Sequence, residues 1–432
     1  MLKRKIYDRL LAWKQAKKKD ALLLRGVRQC GKTYIVRAFG QAEYKSFIEI
    51  NFIERPDLQN VFSGVLRVDE MVGQIKLLMP NCQFIPGETL LFLDEIQNCP
   101  NGRTSLKFWA QDGRYDVIAS GSMLGIEYKN EVSIPVGYEE QLVMYPLCFE
   151  EFLWALGIDE DLKNMLQPYL DGATLIPEAM HNALMRYLRE YMVVGGLPEV
   201  VTTYIETKDY SRVQALQEKI LRDYQDDIAK YALNQDKIKA KQCFLAIPRQ
   251  LSKENHKFQY SVVEKKATAR KFESSLDWLC NAGLIYYAHN LSSTFFPAKA
   301  YAKEDQFRVY LCDIGLLVAM FGYQMKAAII NDMLEGPAKG GVYESLVADI
   351  FSKRGQELYY YKKEDSTLEI EFILERESSI VPVEVKAKKG PTRSLNELLK
   401  QEHIHKGYKL TSQNTGAVAK KITLPLYMAT II

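Results

Sequence analysis

The sequence lacks three features that would place it in a special class: paired cysteines, long apolar runs and a strong net charge. Its 432 residues include 7 cysteines, an odd number without a C-x-x-C pair, which argues against a disulfide framework and a cysteine zinc site. No apolar run approaches the roughly 20 residues that cross a bilayer, and the first residues are charged where a signal peptide needs an apolar core. We therefore expect a cytoplasmic protein without a membrane partner.

The overall charge says little about partners, but its distribution is uneven. The formal net charge is +3, and the hydrophobic content of 47% with 26% charged residues is that of an ordinary globular protein. Between Lys237 and Lys271, however, ten Lys or Arg residues stand against two acids, Glu254 and Glu264. Such a basic stretch can bind a nucleic-acid backbone, or it can be a solvated face.

The clearest functional pattern is a glycine-rich loop between a predicted strand and a predicted helix. An apolar run, residues 21–24, leads into the loop, and an amphipathic helix follows it. The loop residues are Gly26, Val27, Arg28, Gln29, Cys30, Gly31, Lys32 and Thr33. Its two glycines let the backbone wrap around a polyphosphate, whose oxygens meet N–H groups and the positive end of the helix. The pattern predicts a P-loop in which Lys32 reaches the β- and γ-phosphates and Thr33 places its hydroxyl on Mg²⁺.

A second apolar run, residues 90–93, ends in two carboxylates, Asp94 and Glu95. This is typical of a buried parallel strand that delivers acids to the carboxyl edge of a sheet, where nucleotide sites lie in α/β folds. We interpret it as a Walker B motif. Asp94 is then expected to hold Mg²⁺, directly or through water, and Glu95 to orient or deprotonate the water that attacks the γ-phosphate.

Another predicted strand, residues 115–119, leads into Ser120 and Ser122. A polar side chain at this place can sense the γ-phosphate, so both serines are candidates. A turn of small residues at a strand end explains them equally well.

The order of predicted elements indicates the fold class. Strands joined by helical stretches indicate a parallel sheet covered on both faces, hence an α/β fold. From about residue 145 to 231 the pattern is mostly helical, which we interpret as a lid over the nucleotide. We assign a P-loop ATPase domain to residues 1–155, a helical lid with a winged helix to residues 156–300, and a further α/β domain to residues 301–432.

The winged-helix prediction covers residues 238–300. A helix within residues 267–282 is followed by a glycine stop and a strand, which is the order of a recognition helix and a wing. The apolar residues of this helix fall on one face: Phe272, Leu276, Leu279 and Cys280. Arg270 and Lys271 lie on the opposite face with Ser274 and are candidate DNA-binding residues. Winged helices also serve only for packing in some ATPases, and the sequence leaves this alternative open.

The last segment carries a second group of chemical side chains. They are Glu344 on a predicted helix and Glu371, Glu384 and Lys386 on two adjacent predicted strands. Residues two apart on a strand share a face, so these side chains can converge. Acids that bind Mg²⁺ and a lysine beside an attacking water are the minimum for hydrolysing a phosphodiester. Surface acids alternating with core residues would give the same pattern.

Taken together, these motifs resemble a bacterial family of AAA-type ATPases. The resemblance covers nearly the full length and rests on GVRQCGKT, LLFLDEIQNCP, VMYPLCFEEFL, VVGGLPEVV, FRVYLCDIGLL, GGVYESLVADIF and VPVEVKAKKG. It implies a P-loop domain, a winged helix and a C-terminal domain similar to restriction endonucleases of the PD-(D/E)XK type. It also implies ATP rather than GTP, with Mg²⁺ as the metal.

Two departures from the family pattern affect function. Family members often have an arginine after the glycine that precedes the Tyr-Pro-Leu block, but here Tyr138 follows Gly137. In the endonuclease-like part the family has Glu-Val-Asp, but here the third residue is Glu371. An extra methylene at a ligand matters because Mg²⁺ demands tight octahedral geometry. We therefore expect a degenerate nuclease-like site.

These observations predict an ATP-binding, slowly hydrolysing switch whose nucleotide state repositions a C-terminal half that binds double-stranded DNA, a protein partner or a second copy. One alternative is an ATP-gated, metal-dependent DNA nuclease. Another is a non-hydrolysing regulatory protein that uses nucleotide as a structural ligand. Arg28, Arg103, Arg114 and a neighbouring subunit are all candidates to complete the γ-phosphate site.

Overall fold

The computed structural model describes residues 2–17, 19–122, 137–232, 237–253, 256–365, 367–386 and 392–432. The chain forms two units, which are Met1–Pro146 with Asn281–Gly283, and Leu147–Cys280 with Leu284–Ile432. Along the described residues, no helix is both long enough and apolar enough to cross a bilayer.

The first unit is built on a five-stranded parallel sheet in the order β2-β3-β4-β1-β5. Its strands are β1 (Ala21–Gly26), β2 (Ser46–Asn51), β3 (Thr89–Asp94), β4 (Asp116–Ser122) and β5 (Glu139–Met144). Its helices are α1 (Ile6–Gln15), α2 (Lys32–Glu43), α3 (Val68–Leu78) and α4 (Pro100–Asp112), with short 3₁₀ helices at Pro56–Phe62 and Ile96–Asn98. The predicted α/β class and parallel sheet are confirmed.

The central strands β1 and β3 are buried on both faces, which explains why they are nearly continuous apolar runs. Leu91 and Leu93 point into one hydrophobic cluster with Met71 and Trp109, while Phe92, which lies between them on the strand, is also fully buried. Parallel strands covered on both faces need apolar residues at every position. Since parallel strands end at one edge, the last residues of β1, β2, β3 and β4 lie along the same edge of the sheet.

The second unit contains a mixed eight-stranded sheet in the order β12-β13-β11-β10-β9-β8-β6-β7. Its strands are β6 (Ile285–Leu291), β7 (Ala302–Leu311), β8 (Leu358–Lys362), β9 (Glu369–Arg376), β10 (Ser379–Lys386), β11 (Gly407–Thr411), β12 (Gly416–Val418) and β13 (Lys421–Pro425). Its helices are α5 (Phe149–Ala155), α6 (Leu162–Leu166), α7 (Glu178–Val194), α8 (Pro198–Thr207), α9 (Tyr210–Tyr231), α10 (Lys237–Leu251), α11 (Tyr260–Val263), α12 (Ala269–Asn281), α13 (Ile314–Met320), α14 (Tyr323–Ile330), α15 (Pro337–Ser352) and α16 (Arg393–Leu398). Short 3₁₀ helices occur at Gln167–Tyr169, Ala298–Tyr301 and Leu426–Thr430.

A buried charge cluster holds several helices of the second unit together. Lys353 is buried and its Nζ lies 2.8 Å from Asp349 Oδ1 and 3.1 Å from Asp313 Oδ2. The same ammonium donates to the Tyr191 hydroxyl oxygen and to the carbonyl of Leu147. Opposite charges with complete hydrogen bonding are what makes such burial tolerable.

The region predicted as a winged helix has the expected order of elements, with helices α10 to α12 followed by the antiparallel pair β6 and β7. However, β6 also pairs in parallel with β8. These strands therefore belong to the eight-stranded sheet and do not form an isolated wing. The proposed domain boundary between residues 300 and 301 falls between β6 and β7, and both the winged helix and the domain limits stay predictions.

Candidate functional site

The glycine-rich loop joins β1 to α2, and the geometry favours glycine at both of its glycine positions. A Cβ on Gly26 would lie 2.3 Å from the Met144 carbonyl oxygen and 2.9 Å from Cys30 Sγ. Gly31 caps α2 with a φ of +97°, a left-handed conformation that side chains disfavour. The helix begins at the next residue, so its first N–H groups face the loop.

Lys32 is buried at the loop. Its Nζ donates to the carbonyl oxygens of Gly26 and Val27, both at 3.0 Å. Arg4, which no sequence pattern singles out, contacts the same loop. Its guanidinium donates to the Cys30 carbonyl at 3.1 Å and to the Tyr145 carbonyl at 2.6 Å. The loop is thus held by two cations that bond backbone oxygens.

Asp94 ends β3 and is 1% exposed. Its Oδ2 accepts the Thr33 hydroxyl at 3.0 Å and the Asn51 amide at 3.1 Å, and its Oδ1 accepts the Ser120 hydroxyl. The structure therefore brings together Thr33, Asp94 and Ser120 as the motifs predict. Asn51 was missed; its signal is its place at the end of β2, in register with Asp94.

Glu95 follows Asp94 in the left-handed conformation, with a φ of +56°. Its carboxylate accepts a hydrogen bond from the side-chain amide of Gln97, which is 5% exposed and was also missed. Ser122 lies in register with Gly26, the start of the loop. Its buried hydroxyl has no hydrogen-bond partner among the described residues.

Two of the arginines that are candidates for the γ-phosphate site form ion pairs with carboxylates of the first unit. Arg103 is buried and its Nε lies 3.0 Å from Glu139 Oε2. Arg114 pairs with Asp69 at 2.6 Å and with Asp112 at 2.8 Å. Their predicted role at the phosphate is untested.

The second unit has a polar cleft of about 290 Å³. Its lining residues are His256, Glu344, Glu369, Glu371, Glu384, Lys386, Arg393 and Ser394. Every residue predicted for the nuclease-like site is among them. Because Val383 faces Phe372 in the antiparallel pair of β9 and β10, Glu371 and Glu384 are cross-strand neighbours.

Lys386 lies between the two strand carboxylates of this cleft. Its Nζ is 2.9 Å from Glu371 Oε1 and 3.5 Å from Glu384 Oε1, and the Val385 N–H donates to Glu371 Oε2 at 3.1 Å. Glu384 is 2% exposed, and its Oε2 has no hydrogen-bond partner in the described part of the chain. Burial raises the pKa of Glu384 to about 7, with Lys386 opposing the shift.

Glu344 on α15 is compensated by a cation that the sequence did not point to. Arg308, from β7 and 1% exposed, donates to Glu344 Oε1 at 2.6 Å, and His256 Nδ1 lies 2.6 Å from Glu344 Oε2. Burial by itself would raise the pKa of Glu344, but Arg308 and His256 outweigh it and hold that pKa below its ordinary value. Arg308 also bonds Glu369, whose other oxygen meets Lys362 at 2.7 Å.

The structure does not show these carboxylates converging on a metal. Over the described ranges, no three His, Cys, Asp or Glu side chains are grouped so as to hold a metal ion.

The candidate DNA-binding residues lie on an exposed face of α12. Arg270 and Lys271 are exposed, whereas Phe272, Leu276 and Leu279 on the other face are buried. Lys271 pairs with Glu264 at 2.6 Å. A contact with DNA would therefore have to compete with this exposed ion pair.

Comparisons with known proteins define the class of the first unit. Residues 18–153 match an AAA domain family, and with the loop geometry described above this region is an AAA-type P-loop ATPase domain. Residues 185–327 and 339–427 match two domains of unknown function, DUF8612 and DUF4143. These two matches leave the restriction-endonuclease-like fold a prediction. A search of curated proteins found no match.

Several solved structures resemble the chain at low identity. The Walker-type ATPase PABY2304 of Pyrococcus abyssi is 14% identical, with 74% of this chain and 96% of that chain covered and a TM-score of 0.45. The Aeropyrum pernix Orc1 protein in complex with DNA is 15% identical, with 76% of this chain and 92% of that chain covered and a TM-score of 0.28. AMPPCP-bound DnaA of Aquifex aeolicus is 12% identical, with 63% of this chain and 85% of that chain covered and a TM-score of 0.28. At such TM-scores these likenesses carry no functional inference.

Proposed function

We propose that the chain binds Mg²⁺ and ATP at the P-loop, hydrolyses ATP slowly, and uses the nucleotide state to reposition a C-terminal half that binds DNA or a protein. The hydrogen bond of 3.0 Å between Thr33 and Asp94 carries this proposal, since it joins the Walker A hydroxyl to the Walker B carboxylate. Hydroxyl and carboxylate oxygens are the ligands that Mg²⁺ prefers, so these residues fit the ion.

The chain's own residues account for the chemistry. Lys32 neutralises charge on the phosphates, and Glu95 orients the water that attacks the γ-phosphate. A bound Mg²⁺ would add charge stabilisation at the phosphates. We expect slow turnover because Gln97 holds the Glu95 carboxylate and Tyr138 stands where the family often has an arginine.

Calorimetric ATP titration and steady-state phosphate release test this proposal. Lys32→Ala should lose most ATP affinity, while Glu95→Gln should keep ATP and lose turnover. Lys45→Ala, which removes a lysine from an exposed pair with Glu88, is the matched control and should change neither. Equal ATP affinity in wild type and Lys32→Ala would reject the P-loop assignment. Normal binding without turnover in wild type would favour the non-hydrolysing regulatory protein.

For the C-terminal half we propose DNA contact through Arg270 and Lys271. Affinity for a fluorescent duplex should fall steeply with salt, because neutralised phosphates release counterions. Replacing both residues by alanine should weaken binding and flatten the salt dependence. Lys299→Ala with Lys400→Ala, two exposed lysines elsewhere in the unit, is the control. No duplex binding at low salt, with or without ATP, would leave α12 a packing helix and favour a protein partner or a second copy.

A second candidate, the ATP-gated nuclease, is favoured by the common cleft of Glu371, Glu384 and Lys386. We propose instead that this domain is restriction-endonuclease-like in fold and silent as a catalyst. Plasmid and single-stranded DNA with Mg²⁺ or Mn²⁺, with and without ATP, should remain uncut. Cleavage that disappears in Lys386→Ala would establish the nuclease, and cleavage gained only in Glu371→Asp would show that the extra methylene silences it.

A further inference from the structure

The carboxylates of the C-terminal cleft are already paired with cations of the chain itself. Glu371 and Glu384 share the Lys386 ammonium, at 2.9 and 3.5 Å. Glu344 meets Arg308 at 2.6 Å, and Glu369 lies between Arg308 and Lys362. A divalent cation would therefore enter a cleft in which three cations of the chain already pair with four carboxylates.

The position of Lys386 is the decisive feature. Glu371 and Glu384 are cross-strand neighbours, and the ammonium lies within ion-pair distance of both. A metal held by these carboxylates would meet a like charge a few ångströms away, and at such a distance the repulsion is only partly screened. Glu344 cannot compensate, because both of its oxygens are engaged by Arg308, Tyr310 and His256.

One atom shows that the cleft nevertheless retains an acceptor. Glu384 is 98% buried and lines the cleft, yet its Oε2 has no hydrogen-bond partner among the residues that the structure describes. Buried carboxylate oxygens are normally satisfied. With the Lys386 ammonium gone, this oxygen and Glu371 would lose the cation that the two carboxylates share, and a divalent metal could replace it.

We propose that Lys386 is a resident counter-ion that closes this cleft to divalent metal, and that its removal opens a metal site formed by Glu371 and Glu384. This rests on the proposed function only in taking the cleft as nuclease-like. In this proposal the positive charge of Lys386 prevents metal binding. The longer side chain of Glu371 is a separate cause, which acts through the position of a metal ligand.

Mn²⁺ binding followed by electron paramagnetic resonance tests this, with Asp94→Asn as the background so that the P-loop site does not contribute. The background protein should bind no Mn²⁺ at the cleft. Adding Lys386→Met removes one positive charge and should give one bound Mn²⁺ per chain, with a Kd at least about tenfold below the weakest Kd that the titration can detect. Lys363→Met, which removes a lysine from an exposed pair with Asp365, is the matched control and should gain nothing.

The gain must depend on the two carboxylates, so adding Glu384→Gln to Lys386→Met should abolish it. Lys386→Gln, a neutral polar replacement, provides a second test if the methionine variant misfolds by circular dichroism. Mn²⁺ bound by the background protein and lost in Glu384→Gln would overturn the proposal, as would folded Lys386 variants without any gain. ATP binding by wild type is measured separately, so failure of the nucleotide proposal is distinguishable from failure here.

Discussion

The P-loop edge and the C-terminal cleft both collect carboxylates beside strands, but they treat the charge differently. Asp94 receives its hydrogen bonds from neutral groups, the hydroxyls of Thr33 and Ser120 and the amide of Asn51. Glu344 and Glu371 in the cleft receive theirs largely from cations, Arg308 and Lys386. The P-loop edge keeps a negative charge that a cation can neutralise, whereas the cleft already pairs its carboxylates with cations of the chain.

The difference teaches that a carboxylate's attraction for a metal depends more on the charge of its hydrogen-bond partners than on their number. Neutral donors stabilise a carboxylate without removing its field, so Asp94 remains attractive to Mg²⁺. Lys326 shows the same rule with the sign reversed. It is buried, and its ammonium donates to the Val193 carbonyl at 2.9 Å and to the Gln217 amide oxygen, both neutral. Burial lowers the pKa of Lys326 to about 7, whereas the pKa of carboxylate-paired Lys386 is raised despite burial.

The largest expected effect comes from removing the cation of Glu344. Arg308→Met should lower the free energy of unfolding by about 3–5 kcal/mol, because it leaves a buried carboxylate without its counter-ion. Urea denaturation measures this. Adding Glu344→Gln should restore part of the loss, and a double variant no better than the single one would show that Arg308 acts by packing. Lys299→Met, which breaks an exposed pair with Glu357, is the control and should have little effect.

The next largest effect should come from placing a cation beside the carboxylate of the P-loop edge, as Lys386 lies beside Glu371 in the cleft. Asn51→Lys would place an ammonium beside Asp94, and we expect ATP affinity in Mg²⁺ to fall about 10- to 100-fold, roughly 1.4–2.8 kcal/mol. Affinity without Mg²⁺ should change little. Asn51→Ala removes the same amide without adding charge and should cost about 1 kcal/mol at most. Equal losses in the two variants, measured by calorimetry, would contradict the electrostatic account.

Much of the P-loop edge was predictable because its signals are local in sequence. Each signal lies within a few residues of the feature that it predicts. These signals are the apolar runs of β1 and β3, the glycines at 26 and 31, and the Asp-Glu pair at a strand end. The common location of Thr33, Asp94 and Ser120 then follows from the rule that parallel strands end at one edge.

The partners that decide the charge of each site were not predictable. Arg308 meets Glu344 only because β7 and α15 pack together 36 residues apart in sequence. Arg4 reaches the P-loop from the start of the chain, 26 residues away. Such contacts depend on tertiary packing, and a single sequence carries no periodicity that reports them. Glu371, Glu384 and their cation Lys386 could be named from the sequence, but the cation that meets Glu344 could not.

A smaller effect should appear in the pH dependence of stability. The pKa of Lys326 in the folded protein is about 7, below its ordinary value of 10.5, so between these values the unfolded chain binds more protons. Stability should therefore rise with pH across this window, by up to about 1.4 kcal/mol per pH unit, although Asp313 and Glu218 oppose the shift. Lys326→Met should remove that slope. Denaturation of both proteins from pH 7 to 9 checks it, and an unchanged slope would show that other groups cause the pH dependence.

The smallest effects should separate the two serines of β4. Ser120 donates its hydroxyl to Asp94, so Ser120→Ala should cost about 1 kcal/mol of stability. The buried hydroxyl of Ser122 has no partner within the described ranges, so Ser122→Ala removes an unsatisfied group and should leave stability unchanged. If Ser122 senses the γ-phosphate, the same variant should still lower the turnover of ATP. Denaturation and phosphate release on both variants distinguish the roles. If Ser122→Ala changes neither turnover nor stability, Ser122 is only a small residue at the end of β4. Ser120 is then the polar group that β4 contributes to the site.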